Sequence, residues 1–258
     1  MSTILFHEIV FGPVHSRRLG VSLGINLLPT DGKVCSFDCI YCECGYNAQG
    51  HGNGKLPTRE AVRHALHDRL QQMHTDGSPL DVITFAGNGE PTLHPDFENI
   101  IDDTIDLRNK LYPTAHISVL SNATRIENES VYRALCRVDN NILKLDTMNP
   151  VTMRRLNVPA GNCDPERVVH NLQHFEGRLI VQTLFTRGTH NGERVDNTTE
   201  DEIVPWLDAL RRIAPHQVMI YTIDRETPER ALERIPVDEL EQIANRVRQL
   251  GLDVSVAG

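Results

Sequence analysis

The sequence predicts an α/β protein in which parallel strands alternate with helices, and three observations lead there. Seven short apolar runs recur along the 258 residues, six stretches with helical spacing lie between them, and no internal repeat or low-complexity linker interrupts the series. Short, continuously apolar runs suit buried parallel strands, and strand–helix alternation is the pattern of βα units. About six such units are too few for an eight-unit barrel, so an open partial barrel or a doubly wound sheet is expected. In either, functional groups gather on the loops at the C-terminal ends of the strands.

The first predicted strand, 21–27, is followed by a long Gly-containing loop that carries four cysteines. A helix over 58–73 comes next; Pro57 suits its start, and Ala61, Leu66 and Leu70 fall near one face. The strand 82–86 runs into a Gly-rich segment, and a helix over 95–111 leads to the strand 116–120. A short helix at 129–136 precedes the strand 142–145, and a helix at 165–175 precedes the strand 179–185. The helix 199–213 has Thr198 and Thr199 as candidate caps and Glu200, Asp201 and Glu202 in its first turn, where negative charge suits the helix dipole. The strand 217–222, the helix 237–250 and a short strand at 254–256 complete the series.

Forty per cent hydrophobic residues are ample for a buried core. No basic stretch precedes an apolar run at the N-terminus, and no run approaches the ~18 apolar residues of a membrane span, so a cytoplasmic protein without membrane contact is expected. A formal charge of −9 argues against nucleic acid as the main partner, although Arg17–Arg18, Arg154–Arg155 and Arg211–Arg212 could form local basic patches.

Cysteines in a cytosolic chain more often bind metal or catalyse than form disulfides. Cys35, Cys39, Cys42 and Cys44 fall within ten residues, whereas Cys136 and Cys163 stand alone. Thiolates ligate iron strongly, and closely spaced cysteines on one loop can converge on one iron–sulfur cluster. Three thiolates on a four-iron cluster leave one iron open to a cofactor or substrate. A closed Cys₄ zinc site including Cys44 is the alternative, but zinc cysteines usually come as two separated CxxC pairs.

A second motif follows the second strand: Phe85-Ala86-Gly87-Asn88-Gly89-Glu90-Pro91. Its glycines let backbone approach a ligand closely, and Pro91 stiffens the exit. CxxxCxxC after the first strand, with this GNGEP segment after the second, resembles the radical SAM (S-adenosylmethionine) superfamily. Read with the segment FGPVHSRRLG at 11–20, GNGEPTLHP at 87–95 resembles its branch of wyosine synthetase-like Fe–S oxidoreductases. The likeness covers most of the chain. It implies a partial (β/α)6 TIM-like barrel, with residues 1–258 as one domain and 1–20 as an N-terminal extension.

The resemblance further implies a [4Fe–4S] cluster on Cys35, Cys39 and Cys42, and S-adenosylmethionine as cofactor. Reductive cleavage then yields methionine and a 5′-deoxyadenosyl radical that abstracts substrate hydrogen. Tyr41 is expected against the adenine, Gly87, Asn88 and Gly89 against the methionine end, and Pro91 within the same cofactor-binding segment. Glu90 would orient that loop or contact the ammonium, and Ser121 and Asn122 would meet the carboxylate or ribose. An electron donor such as flavodoxin or ferredoxin is implied.

Lys144 and Asp146 end a buried apolar strand, where charges must be paired or face a pocket, and are candidate catalytic groups. Gln182 and Arg187 are candidates for cofactor or substrate contacts, and Tyr221 for the substrate side. Arg17 and Arg18 could hold a substrate carboxylate or phosphate. Cys163, in a loop, could deliver a hydrogen atom to a product radical, while Cys136 reads as a small core residue. The expected substrate is a small molecule, peptide or protein. Glycyl-radical activation and tRNA-base modification are the alternatives within the superfamily, and a structural iron–sulfur or zinc protein is the alternative outside it.

Overall fold

The structure, a computed structural model, describes residues 4–16, 19–50, 52 and 54–258. Arg17 and Arg18 lie outside the described residues.

All seven predicted strands are present, and all six predicted helices. A hairpin of β1 (Val10–Ser16) and β2 (Gly20–Ile25) leads through the cysteine loop to α1 (Arg59–Thr75). There follow β3 (Val82–Phe85), α2 (Phe97–Leu111), β4 (His116–Ser121), α3 (Glu129–Leu135), β5 (Asn140–Lys144), α4 (Pro150–Leu156) and α5 (Pro165–Gln173). Next are β6 (Ile180–His190), β7 (Glu193–Asp196), α6 (Glu200–Ile213), β8 (Gln217–Thr222), β9 (Leu232–Arg234), α7 (Val237–Arg248) and β10 (Asp253–Ala257). The parallel order is β2-β3-β4-β5-β6-β8-β10, with β1 antiparallel on the outer edge of β2. The sheet stays open between β1 and β10, as a partial barrel does.

Strand periodicity sorts the side chains into two layers. Leu23, Ile25, Ile83, Phe85, Ile117, Val119, Leu143 and Val181 are buried in one core with the apolar faces of the helices. On the other face, Ile142, Ile180 and Met219 form a small apolar cluster joined by Leu19 and Leu120. The register pairs Ile142 with Ile180 and Lys144 with Gln182, and aligns Gln182 with Met219. Two residues further along the same face of each strand, Lys144, Gln182 and Tyr221 therefore stand above this apolar floor. A one-residue slip would have buried all three among the helices.

Four elements were not foreseen. β1, with Gly12 and Pro13, shifts register between Phe11 and Val14 and lacks a clean alternation; it makes part of the expected extension a strand of the sheet. Strand β6 continues five residues beyond the predicted end because its polar half pairs antiparallel with β7 and β9. Helix α4 buries only Met153 and Leu156, too few for an apolar period to show, but Asn149 caps it by accepting from Val151 N at 2.9 Å. In α6 the acidic first turn is confirmed, yet Glu202 turns inward, where it accepts from Thr147 Oγ1 and, at 2.5 Å, from Thr152 Oγ1. That carboxylate ties the loop after β5 to α6.

Candidate active site

A cavity of about 290 Å³ opens at the C-terminal ends of the parallel strands, and Cys35, Cys39 and Cys42 stand in its wall. The loop carrying them is docked by backbone on two sides. Val34 bridges to Gly89 and Phe37 to Pro159; Glu90 N donates to Val34 O at 3.1 Å, and Ala160 N to Ser36 O at 2.9 Å. Two polar groups, the buried Lys33 and the half-buried Asn47, brace it from within. Lys33 Nζ donates to Gly45 O at 2.6 Å and pairs with Asp38 at 3.2 Å, while Asn47 Nδ2 donates to Cys35 O at 3.1 Å and Phe37 O at 3.2 Å.

Burial sets the protonation of the free thiols. It pushes Cys35 well above the ordinary range, aided by the charge of Glu90, and Cys39 to about 11. Cys42 is the exception: a hydrogen bond from Cys44 stabilises its thiolate against burial, and Lys33 adds to this. Cys44 is held protonated by the same bond and by its own burial. Its thiol also faces the Gly87 carbonyl at 3.4 Å, and it is not part of the cavity wall.

Opposite the cysteines lies the glycine segment. Gly87 and Gly89 have φ of +121° and +135°, which disfavours any residue with a Cβ. A Cβ on Gly89 would sit 1.8 Å from Val34 O, so the glycine is what lets the two loops meet. Glu90 is buried and accepts from Asn122 N at 2.7 Å, Thr92 N at 3.1 Å and Thr92 Oγ1 at 2.6 Å. Burial raises its carboxyl pKa, and these bonds oppose the shift.

The strand ends close the cavity with Ser121, Asn122, Lys144, Gln182 and Tyr221. Lys144 Nζ lies 3.6 Å from Asp146 Oδ2 and 3.4 Å from Tyr221 Oη, and stands over the Tyr41 ring at 5.2 Å. Asp146 is fully buried behind this wall: it accepts from Tyr41 Oη, from Asn157 Nδ2 at 2.7 Å and from Leu184 N at 2.9 Å. Burial works against charge on Lys144, but Asp146 foremost and then Tyr221 outweigh it, so the amine stays protonated. Burial, reinforced by Asp146, holds the Tyr41 phenol neutral.

The sequence model of the radical SAM superfamily matches residues 30–181, more than half of the chain. The chain belongs to the radical SAM superfamily. Among relatives, the UPF0026 protein slr1464 of Synechocystis sp. is 32% identical over 231 residues, 87% of this chain and 79% of that protein. A protein named GTPase Obg from Brachyspira hyodysenteriae is 27% identical over 90% of this chain, but the chain spans only 32% of its length. Two solved structures share the fold. A radical SAM methyltransferase from Sphaerobacter thermophilus has TM-score 0.66 at 13% identity, over 92% of this chain and 65% of the other. Archaeal TYW1 has TM-score 0.52 at 13% identity, over 88% and 71%.

Radical SAM enzymes use a [4Fe–4S] cluster and S-adenosylmethionine. The donor set of this radical SAM protein suits such a pair: three thiols share one wall, while the fourth nearby thiol turns to a carbonyl. Among the described residues no three His, Cys, Asp or Glu side chains converge as the ligands of a single metal ion would. Cysteines that each hold a different iron of a cluster need not converge in that way.

Six expectations are corrected. Asn88 does not face the cavity: its amide donates to Phe6 O at 2.9 Å and Pro29 O at 2.8 Å, so it braces the loop from behind. Pro91 opens a short buried 3₁₀ turn outside the cavity wall. Arg187 pairs with Glu239 of α7 because β6 continues past the barrel. Cys163 lines a separate cavity of about 170 Å³ beside Ser36 and Arg167. Cys136, expected in the core, is exposed. Asp146 belongs to the site but is buried behind Tyr41 and Lys144 instead of facing the cavity.

Sequence reasoning missed Lys33, Asn157 and Asn197. Asn197 Nδ2 donates to Asp146 O at 2.9 Å and Leu184 O at 2.7 Å, and its Oδ1 accepts from Thr186 N, which pins the ends of β5 and β6 together. Nothing local marks either asparagine. Lys33 stood in plain view two residues before Cys35.

Proposed function

We propose that this radical SAM protein is an enzyme whose Cys35, Cys39 and Cys42 hold three irons of a [4Fe–4S] cluster, the fourth iron staying open to S-adenosylmethionine. When bound and reduced, that pair supplies a 5′-deoxyadenosyl radical, with methionine as the other product, for hydrogen abstraction from a small molecule, peptide or protein segment. The observation that carries this reading is the single cavity that gathers three thiols, the backbone of Gly87 and Gly89, and polar side chains from four strand ends.

The chain's own residues would do the following. The Gly87 and Gly89 backbone approaches the methionine end without side-chain hindrance. Glu90 holds the turn and the Asn122 amide in place, and Ser121, Asn122 and Gln182 offer polar groups to the carboxylate and ribose. Lys144, protonated in the wall, places a positive charge where an anionic group can be met. Tyr41, tied through its hydroxyl to Asp146, presents a fixed ring face. Tyr221 stands on the substrate side, and Arg225, paired with Glu43 at 2.9 Å, spans the mouth. Reducing equivalents would come from a flavodoxin or ferredoxin. The −9 charge opposes an RNA substrate.

Protein purified and reconstituted without oxygen should carry about four irons per chain and, when reduced, convert S-adenosylmethionine to 5′-deoxyadenosine. Cys35→Ala, Cys39→Ala and Cys42→Ala should each abolish that conversion and Cys44→Ala should not. Colourless protein with one zinc, or loss of the cluster in Cys44→Ala, would overturn the assignment.

A further inference from the structure

Two buried side-chain amides point at cysteine sulfurs. Asn122 Nδ2 lies 3.6 Å from Cys35 Sγ, and Asn157 Nδ2 lies 3.6 Å from Cys39 Sγ. They reach the sulfurs from opposite sides of the loop, one from the end of β4 and the other from the C-terminal end of α4. Each is immobilised by other bonds. Asn122 also donates to Ser36 Oγ at 2.9 Å and accepts from Thr124 N at 3.1 Å and Thr124 Oγ1 at 2.7 Å. Asn157 is 1% exposed; one amide hydrogen goes to Asp146 Oδ2 at 2.7 Å, and the other is shared between Tyr41 Oη at 3.1 Å and Cys39 Sγ.

We propose that Asn122 and Asn157 are positioning residues that donate N–H···S hydrogen bonds to two cluster thiolates and thereby raise the cluster's reduction potential. The inference rests on the cysteine ligands proposed above. One-electron reduction makes a cluster and its sulfurs more negative, so donors aimed at those sulfurs stabilise the reduced state more than the oxidised one. Both amides are buried, where the surroundings screen such dipoles little. A radical source of this kind must first be reduced by an external donor, and these amides lower the demand on that donor. Asn157 links this function to the rest of the site, since the Asp146 carboxylate that fixes Tyr41 and Lys144 also aims the amide at Cys39.

The test is the midpoint potential of the reconstituted cluster, read by electron paramagnetic resonance during a redox titration without oxygen. Asn157→Leu removes the donor at nearly constant volume. Asn122→Ala removes the donor without adding charge, and carries the test if Asn157→Leu does not fold. Each should reduce the reduced-to-oxidised ratio about tenfold at a fixed ambient potential, which for one electron is a fall of about 59 mV. Asn47→Leu is the control. Asn47 braces the same loop through the Cys35 and Phe37 carbonyls, so its loss should lower iron loading and leave the midpoint of the loaded fraction in place. Wild-type midpoints in both donor variants, or an equal fall in Asn47→Leu, would overturn the inference while leaving the cluster intact. A wild-type protein that takes up no four-iron cluster would instead remove the reading beneath it.

Discussion

Replacing Asp146 with alanine should destabilise the metal-free protein by about 3–4 kcal/mol, because a buried ion pair and three hydrogen bonds meet at one carboxylate. The structure sets both ends of that range. Leu184 N would be left without its acceptor inside a parallel sheet, and Lys144 would keep its charge with its nearest counter-ion gone. Removing one partner of a buried pair costs ~3–5 kcal/mol. The upper part is not expected here: the Lys144 side chain is 15% exposed and opens on the cavity, so water can reach it, and the Tyr41 hydroxyl retains Asn157 at 3.1 Å. For a chain of this size each kcal/mol shifts Tm by about 2–4 °C, so the melting point should fall by roughly 6–16 °C. Trp206 is the probe, because its indole donates to Leu145 O at 3.2 Å, next to Asp146. Urea unfolding of Asp146→Ala, Lys144→Met and the double variant completes the cycle. If pairing is the cause, the two substitutions together should cost at least ~1 kcal/mol less than their sum. A melting point within about 2 °C of wild type, or strict additivity, would refute this account of the buried carboxylate.

Three further outcomes are expected. Gly89→Ala should lower stability by more than ~1 kcal/mol and undock the cysteine loop, because both its φ and the 1.8 Å approach to Val34 O forbid a Cβ; faster proteolysis between residues 30 and 58 would report it. In metal-free protein, iodoacetamide should label Cys42 at pH values where Cys35 and Cys39 do not react, and Cys44→Ala should remove that preference. The sign is set by a folded pKa below the unfolded one: the stability Cys42 contributes is present above its unfolded value and is lost as pH falls through the folded value. Asn197→Ala should cost about 1–3 kcal/mol, measured by urea unfolding, since it leaves Thr186 N and two strand-end carbonyls without their partner.

The βα series was legible because burying a parallel strand on both faces demands a run of apolar residues, and each such run announces itself locally. The thiol triad and the glycine segment were legible for a related reason: one needs closely spaced ligands on a loop, the other needs positive φ. What failed to show were groups whose partners lie far off along the chain. Asn157 finds Cys39 118 residues away, and Tyr41 finds Asp146 105 residues away. Helix α4 and the flap strands β7 and β9 bury too few apolar residues to display a period.

Sequence alone therefore determined the strand and helix order, the loop on which four cysteines gather, and the loop that must be glycine. Period-two alternation puts Lys144 on the side of Ile142, Gln182 on that of Ile180 and Tyr221 on that of Met219, and the register joins these into one face. Only the tertiary structure decided which polar residues look into the cavity and which brace it. Asn88, Asp146 and Arg187 looked as eligible as Asn122 and Lys144 until loop docking turned them elsewhere. The physical reason is that a side chain's role depends on where its partners lie in space, and backbone pairing between distant loops sets that after the local pattern has been satisfied.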